Sequence, residues 1–278
     1  VRGDRVPPIL CYHKVDPRLE LGFTQLGPHV FRRQVETLAR LGYRALSGAE
    51  LLAAVTNPHP SNPAPRTVVF TFDDGYAALA EHAFPVLADH GFPALVFVIT
   101  DYAGRENSWD VQYGWRVFRH LSWDDLARWQ ERGIEAHAHG ATHARLTWLP
   151  DAEAADELRR AREAIVQRLG RAPLGISYPF GAVDVRVRAL AEAAGYRLGF
   201  AGPVAAAAAG EKHDPLVLAR LPVYGWDRFG VPLVLRGGVW GTAGRGVARL
   251  TNRCAVGTAL IQRALGRRYI SCQADREP

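Results

Sequence analysis

The segment TVVFTFDDGY, residues 67–76, joins six residues of β-strand character to two adjacent acids and a glycine. Its strand part is largely apolar on both faces, which is typical of a parallel sheet covered on both sides by helices. Five further segments share this character: PILCYHKV (8–15), PALVFVIT (93–100), IEAHAH (134–139), LGISYPF (174–180) and VLARLPVY (217–224). The sequence therefore predicts an α/β fold with a parallel sheet.

Helical patterns fill the intervals between these strands. Residues 28–41 form a helical pattern that stops before Gly42. This pattern places four apolar residues on one face: Phe31, Val35, Leu38 and Leu41. Four more helices are predicted, over 77–90, the segment DDLARWQER after Ser122, 151–169 and 183–194. No GxGxxG motif follows the first strand, so the alternation favours an α/β barrel over a dinucleotide-binding fold. Functional groups of such barrels collect at the carboxyl ends of the strands.

The composition is that of an ordinary globular protein, with 278 residues, 48% hydrophobic and 22% charged, which excludes collagen-like and wholly disordered chains. Three cysteines, Cys11, Cys254 and Cys272, cannot form a disulfide framework. No apolar run reaches the roughly 18 residues of a membrane span. The first ten residues lack the apolar core of a signal peptide. The compartment stays open, because a complete chain would be cytoplasmic and a trimmed one could be extracytoplasmic.

The formal net charge of +6 is concentrated in the last fifty residues. Residues 229–278 contain eight arginines and two acids, a balance of +6, and the remaining residues contain 34 − 8 = 26 basic and 28 − 2 = 26 acidic groups. We therefore predict one domain over 1–228 and a basic, partly helical extension over 229–278. A solvated appendage is favoured over an anion-binding surface, and nucleic-acid binding is not expected, because no nucleic-acid signature accompanies the charge.

Two adjacent carboxylates, Asp73 and Asp74, end the strand of residues 67–72. Both cannot be buried without partners, because a desolvated carboxylate is very costly. One could bind a metal while the other acts as a base. The alternative is an ordinary strand-end turn of Asp-Gly type.

The segment AHAHGATH, residues 136–143, carries three histidines. His139 and His143 are four residues apart, so in a turn or short helix they can reach one point. Imidazoles, a carboxylate and open positions describe a catalytic metal site. A histidine pair alone would more often be structural. Its occurrence together with the Asp pair at another strand end favours a metal site. His137 alternates with His139 and could point into the same cavity.

The segment SYPFG, residues 177–181, predicts an irregular backbone after a strand, because a proline and a glycine follow one another closely. Such a turn can aim a backbone N–H into a site. By itself it is only a turn.

Together these segments resemble the polysaccharide deacetylase (NodB-homology) family, carbohydrate esterase family 4. TFDDGY matches the first motif, HGATH followed by ARL matches the second in all but the Gly140 position, and YPFG resembles the third. The segments PILCYHKV, FRRQVETLARLGYRALSGAELLAAV, NSWD, LSWDDLARWQERG and EAAGYRLGF are similar to the permuted branch that includes poly-N-acetylglucosamine deacetylases. The resemblance covers residues 7–228.

The resemblance implies a distorted (β/α) barrel of about seven parallel strands and a set of site residues. Asp74, His139 and His143 would hold a divalent metal. Zinc suits such a set best, although cobalt and nickel ligate similarly. Asp73 would be the general base that activates the attacking water, and the N–H of Phe180 would stabilise the oxyanion.

The commoner family pattern has a late Leu-x-His motif that supplies the general acid, and this chain lacks it. His213 lies in a polar segment and does not match the motif. In the permuted branch the N-terminal strand takes the equivalent barrel position, which makes His13 the expected acid; a hydrogen-bonded strand-end histidine is the alternative. We expect residues 8–15 to lie beside the strand that ends at Asp73, and the nearby carboxylates to raise the pKa of His13.

The arginine often found in the third family motif is replaced by Ser177. Arg220 is a candidate to orient the general base instead, and a structural ion pair is an equal alternative. Trp109, Trp123 and Trp226 could stack on a sugar face, although buried aromatics are the more common case.

The resemblance implies a metal-dependent N-deacetylase that releases acetate from an N-acetylated sugar or glycan. Two alternatives remain: a metal-dependent amidohydrolase acting on another acylated small molecule, and a non-catalytic carbohydrate-binding protein. Retention of Asp73 beside all three expected ligands argues against the non-catalytic alternative. The exact substrate and the oligomeric state do not follow from the sequence.

Overall fold

The computed structural model describes residues 6–18, 24–57, 66–108, 117–202, 214–227, 231, 232 and 235. All but three positions of the basic extension lie outside these residues, so the domain boundary at 228 stays a prediction. Trp109, His213, Cys254 and Cys272 also lie outside them. Among the helices described, none is both long and apolar enough to cross a membrane.

The strands of the described residues all pair in parallel. They are β1 (Ile9–Tyr12), β2 (Lys14–Val15), β3 (Gln25–Leu26), β4 (Arg44–Ala45), β5 (Thr67–Phe72), β6 (Ala94–Val98), β7 (Ile134–Ala138), β8 (Gly175–Ser177), β9 (Leu198–Ala201), β10 (Leu218–Ala219) and β11 (Leu221–Pro222). The main sheet has the order β10-β9-β8-β7-β6-β5-β1-β11, with β4 added beside β5.

One short segment closes this sheet into a barrel. β10 pairs with β9 at one edge of the sheet, and β11 pairs with β1 at the other edge. Only Arg220 separates β10 from β11, so the chain crosses from one edge to the other within five residues. Counted as one strand, this segment makes seven around the barrel, which confirms the predicted distorted (β/α) barrel.

The helices are α1 (Pro28–Arg40), α2 (Gly48–Thr56), α3 (Ala78–His82), α4 (Phe84–Asp89), α5 (Trp123–Gln130), α6 (Asp151–Leu169) and α7 (Val185–Ala193). The predicted helix over 151–169 is confirmed. The prediction that Leu41 lies on the buried face of α1 is wrong, because the helix ends at Arg40 and Leu41 is exposed. The single helix predicted over 77–90 is wrong: it divides at Ala83, because Pro85 lacks an N–H and occupies the first turn of α4. The sequence patterns missed α2 and β9.

Alternation along the strands divides the side chains into two sets. Leu10, Phe70 and Val96 belong to a core shared with the surrounding helices. Ile9, Val69, Leu95 and Leu198 point into the barrel and pack together, and Leu51 of α2 joins them from the amino-terminal end. The next inward positions reach the carboxyl end of the barrel, where the predicted site residues lie.

We predict that Gly199→Ala destabilises the protein. A Cβ atom at this position would lie 2.0 Å from the carbonyl oxygen of Leu216 and 2.7 Å from the Tyr178 hydroxyl. Overpacking of this kind costs about 1–3 kcal/mol, and here the overlap is with backbone. Chemical denaturation measures the loss. Gly27→Ala is the control, because no atom lies within 4 Å of its Cβ position; an equal loss in both variants would contradict the explanation.

Candidate metal and catalytic site

Three buried candidate ligands meet at the carboxyl end of the barrel. Asp74 follows β5, His139 follows β7, and His143 lies in the loop after β7. Oδ1 of Asp74 is 3.3 Å from Nε2 of His139 and 3.7 Å from Nε2 of His143. One ligand atom of each residue lies within 4.8 Å of the other two, so a single ion could contact all three. The structure thus brings together the set expected from the sequence.

The protonation states of Asp74 and His143 suit a divalent metal. Burial alone would lower the pKa of His139, but the charges of Asp73 and Asp74 raise it, so a bound cation would have to displace its proton. Nδ1 of His139 is 2.7 Å from the carbonyl oxygen of Ser177, so its N–H donates there and Nε2 is left for the ion. Burial and the neighbouring charge of His139 lower the pKa of His143 to about 3. Burial alone would raise the pKa of Asp74, but the hydrogen bond and charges of the histidines hold it at about 2. A neutral imidazole and an ionised carboxylate are the forms that bind metal.

Backbone strain is concentrated around the ligands. Among the described non-glycine residues, only Asp74, His143 and Phe180 have positive φ, at 68°, 67° and 60°. Each comes from a different one of the three sequence motifs. Such conformations cost about 1–3 kcal/mol each and persist only where neighbouring contacts fix them.

Two residues that the sequence analysis missed contact the strained ligand loops. Nδ1 of His120 lies 2.7 Å from the carbonyl oxygen of Asp74, and its ring stacks on Tyr76 at 5.1 Å. Glu157 of α6 accepts hydrogen bonds from the loop that contains His143. Glu157 lies on the buried face of α6, so the presence of an acid at a core position of the helix could have indicated its role. His120 lies in a segment without periodicity, and no sequence pattern indicates its role.

Asp73 forms a bidentate ion pair with Arg220. Nη1 and Nη2 each lie 2.6 Å from one carboxylate oxygen, and Nη2 also donates to Oγ of Ser177 at 2.9 Å. Burial alone would raise the pKa of Asp73, but the charge and hydrogen bonds of Arg220 hold it well below its ordinary value. The ring centroids of Phe97 and Phe200 lie 5.6 and 6.0 Å from the guanidinium carbon of Arg220. Asp73 is therefore ionised and fixed in orientation.

His13 lies beside Asp73, because β1 pairs with β5 as expected. Ligand atoms of His13, Cys11 and Asp73 lie within 4.8 Å of one another. The expectation that nearby carboxylates raise the pKa of His13 is wrong for this structure. Burial lowers its pKa and outweighs the attraction of Asp74 and Asp73.

Cys11, His13 and Asp73 are a poor cation site despite their spacing. Both oxygens of Asp73 are already bound to the guanidinium of Arg220, whose positive charge opposes a nearby cation. Burial also raises the pKa of the Cys11 thiol, which keeps it protonated. The His–His–Asp set is the better metal site of the two.

His137 does not join the ligands. It points into the barrel, where Nε2 lies 3.3 Å from Glu135 and Nδ1 accepts a hydrogen bond from the N–H of Gly175. Glu135 in turn accepts from the N–H of Gly48 at the start of α2. His137 therefore belongs to the barrel interior, one inward position below His139.

The third motif forms a 3-10 turn over Pro179–Gly181. The Phe180 ring packs edge-on against His143, with centroids 4.8 Å apart. Trp123 is partly buried against the core, as the structural alternative expected. Trp226 is 36% exposed and packs on Tyr224 with ring centroids 4.5 Å apart.

The family model described as polysaccharide deacetylase matches residues 61–199, half of the chain. The chain belongs to the polysaccharide deacetylase family. The matched range contains all three metal-ligand candidates and Asp73. His13 and Arg220 lie outside this range. His13 directly follows β1, and Arg220 lies in the segment that closes the barrel.

One bacterial relative is similar over more than two thirds of the chain. The chain is 25% identical over 192 residues to YxkH of Bacillus subtilis (strain 168), a protein named as a polysaccharide deacetylase. The match covers 69% of this chain and 63% of YxkH, so the chain spans less than two thirds of that relative.

Two solved structures share the barrel. The deacetylase PplD of Streptococcus pyogenes superimposes with a TM-score of 0.67 at 22% identity, covering 78% of this chain and 92% of PplD. IcaB of Ammonifex degensii superimposes with a TM-score of 0.63 at 21% identity, covering 87% of this chain and 96% of IcaB. These similarities show the shared polysaccharide deacetylase fold.

For this polysaccharide deacetylase family member we predict binding of one divalent cation per chain, measured by calorimetric titration of metal-free protein. His143→Gln should weaken binding by more than about 100-fold, since loss of a ligand exceeds the loss of an outer hydrogen-bond partner. His137→Gln is the matched control, because it removes a buried histidine one layer away. Equal metal affinities in the two variants would contradict the assignment of His143 as a metal ligand.

Proposed function

We propose that the protein is a metal-dependent N-deacetylase that removes acetyl groups from an N-acetylated sugar or glycan and releases acetate. The observation that carries the proposal is the pairing, at one end of the barrel, of a His–His–Asp ligand set with the ionised carboxylate of Asp73. Zinc suits two imidazoles and one carboxylate best, and cobalt or nickel would bind similarly. Family membership supports a polysaccharide as the substrate class.

Asp73 is the general base in this proposal. A divalent cation held by Asp74, His139 and His143 would acidify a water molecule and polarise the acyl oxygen. Asp73 would accept the proton of the attacking water. Because the low pKa of Asp73 makes it a weak base, this transfer would depend on the acidity that the cation gives to the water. Arg220 aligns the carboxylate through two 2.6 Å hydrogen bonds and so acts as a positioning residue.

The remaining two roles belong to Phe180 and His13. The N–H of Phe180 donates to no described residue, and the left-handed turn around it leaves that donor for an oxyanion. His13 gives the proton that the departing amine requires. Its Nδ1 is buried and has no partner among the described residues, so it is available for such a transfer.

A second candidate keeps this chemistry and replaces the glycan by another acylated small molecule. Acetate release from chitooligosaccharides, compared with release from small N-acetylated amines, separates the two. A chelator should abolish release, and added zinc should restore it. Binding of chitooligosaccharides without any acetate release would support the non-catalytic carbohydrate-binding alternative.

We predict that Asp73→Asn lowers kcat by about 10²–10⁴-fold, the usual contribution of a general base. Metal affinity should stay close to wild type, because Asp73 is not a ligand. The variant leaves the buried charge of Arg220 without its ionic partner, so unfolding by denaturant must be measured alongside. A folded, metal-loaded variant with wild-type turnover would show that Asp73 is only structural.

We predict a basic limb in the pH dependence of kcat/KM that belongs to His13. A step that needs the protonated imidazole slows as pH rises through its pKa. Because burial lowers that pKa, the decline should begin below the value of about 6.5 of an exposed histidine. His13→Gln should remove this limb, while His29→Gln, an exposed histidine of α1, should retain it. An unchanged profile in His13→Gln would leave His13 a strand-end residue.

A further inference from the structure

Glu157 holds the loop between His139 and His143 by three hydrogen bonds. Oε2 accepts from the backbone N–H groups of Ala141 and Thr142, both at 3.0 Å, and Oε1 accepts from the Thr142 hydroxyl at 2.9 Å. The side chain is buried, with 7% of the residue exposed. An acid at such a position in the core is rare unless it is paired or fully hydrogen-bonded.

The loop that Glu157 contacts has left-handed backbone at two positions. Gly140 and His143 both have left-handed φ, at 79° and 67°, and only two residues separate them. A hypothetical Cβ on Gly140 would lie 3.4 Å from Oε2 of Glu157, so the carboxylate fills the space inside this turn. Without those acceptors, two successive N–H groups would point into the protein unpaired, and the chain would relax toward ordinary conformations.

The two histidines depend on this support unequally. His139 directly follows β7, and its Nδ1 is tied to the carbonyl oxygen of Ser177. His143 lies at the far end of the loop, three residues beyond Gly140. A change in the loop therefore moves His143 more than it moves His139.

We propose that Glu157 is a positioning residue that sets the metal affinity of the site by fixing His143, and this inference rests on the proposed function. Glu157 does not contact the ion. Its effect is carried by the hydrogen bonds to Ala141 and Thr142, which place the imidazole of His143 against Asp74. Arg160 lies 3.9 Å from Oε1 of Glu157 and offsets part of its charge.

Glu157→Ala tests the proposal through two measurements that need no turnover. Amide hydrogen exchange of Ala141 and Thr142 in metal-free protein should accelerate. Divalent metal affinity, measured by zinc titration, should fall about 10- to 100-fold, the usual scale for an outer hydrogen-bond partner of a ligand. Glu163→Gln is the control on the same helix, since Glu163 is exposed and pairs with Arg159; it should leave both measurements unchanged.

Glu157→Gln separates hydrogen bonding from charge, and covers the case in which the alanine variant does not fold. The amide oxygen can still accept from both N–H groups while the amide nitrogen donates to the Thr142 hydroxyl. Affinity should therefore fall less than in Glu157→Ala. An equal loss in the two variants would mean that the negative charge, and not the hydrogen bonds, attracts the cation, which overturns the proposal.

A double-mutant cycle identifies His143 as the ligand that is positioned. In a His143→Gln background, Glu157→Ala should cause little further loss of metal affinity, because the group it positions is gone. Additive losses would show that Glu157 acts on the whole protein, which overturns the proposal. Failure of the proposed function appears separately, as an absence of acetate release by wild-type protein whose zinc binding and amide exchange still respond to Glu157.

Discussion

The ion pair between Arg220 and Asp73 links the closure of the barrel to its chemistry. Arg220 is the single residue between β10 and β11, the segment that joins the two edges of the sheet. Its guanidinium points inward to Asp73, at the end of the strand that carries the first motif. A buried carboxylate and a buried guanidinium are each costly alone, so each stabilises the other at this position. The same contact that completes the barrel therefore keeps the carboxylate charged and oriented.

The candidate site imposes a second constraint, because three of its residues have strained backbone. Asp74, His143 and Phe180 adopt left-handed conformations that side chains ordinarily avoid. Each lies in a loop at the carboxyl end of a strand, where the helices and neighbouring loops supply compensating hydrogen bonds. His120 provides one to the carbonyl oxygen of Asp74, and Glu157 provides three to the loop before His143. The site is stable because residues outside the motifs form hydrogen bonds with the backbone polar groups of these loops.

Local patterns predicted the elements best where a single physical signal dominated. The helix over 151–169 has a long amphipathic repeat and a terminal glycine, and its bounds matched. The six-residue strand before Asp73 is apolar on both faces and also matched. Prediction failed where signals conflicted. Strand β9 is four residues long and contains Gly199, and the helix over 77–90 contains a proline that divides it. Residues 8–15 and 217–224 were each expected as one strand, but the pairing is interrupted at His13 and at Arg220.

The sequence by itself determined the α/β class, the three motifs and the candidate ligands, because periodicity and residue chemistry are local properties. The residue pattern alone left open whether His137 shares the cavity of His139, since both face the barrel interior and only their depth separates them. It left Arg220 with two equal alternatives and predicted the wrong direction for the pKa of His13. Those outcomes depend on burial and on partners that lie far away in the chain, 147 residues in the case of Arg220 and Asp73. The tertiary structure decided the partner of Arg220, the depth of His137 and the environment of His13, because desolvation and ion pairing exist only once the barrel has closed.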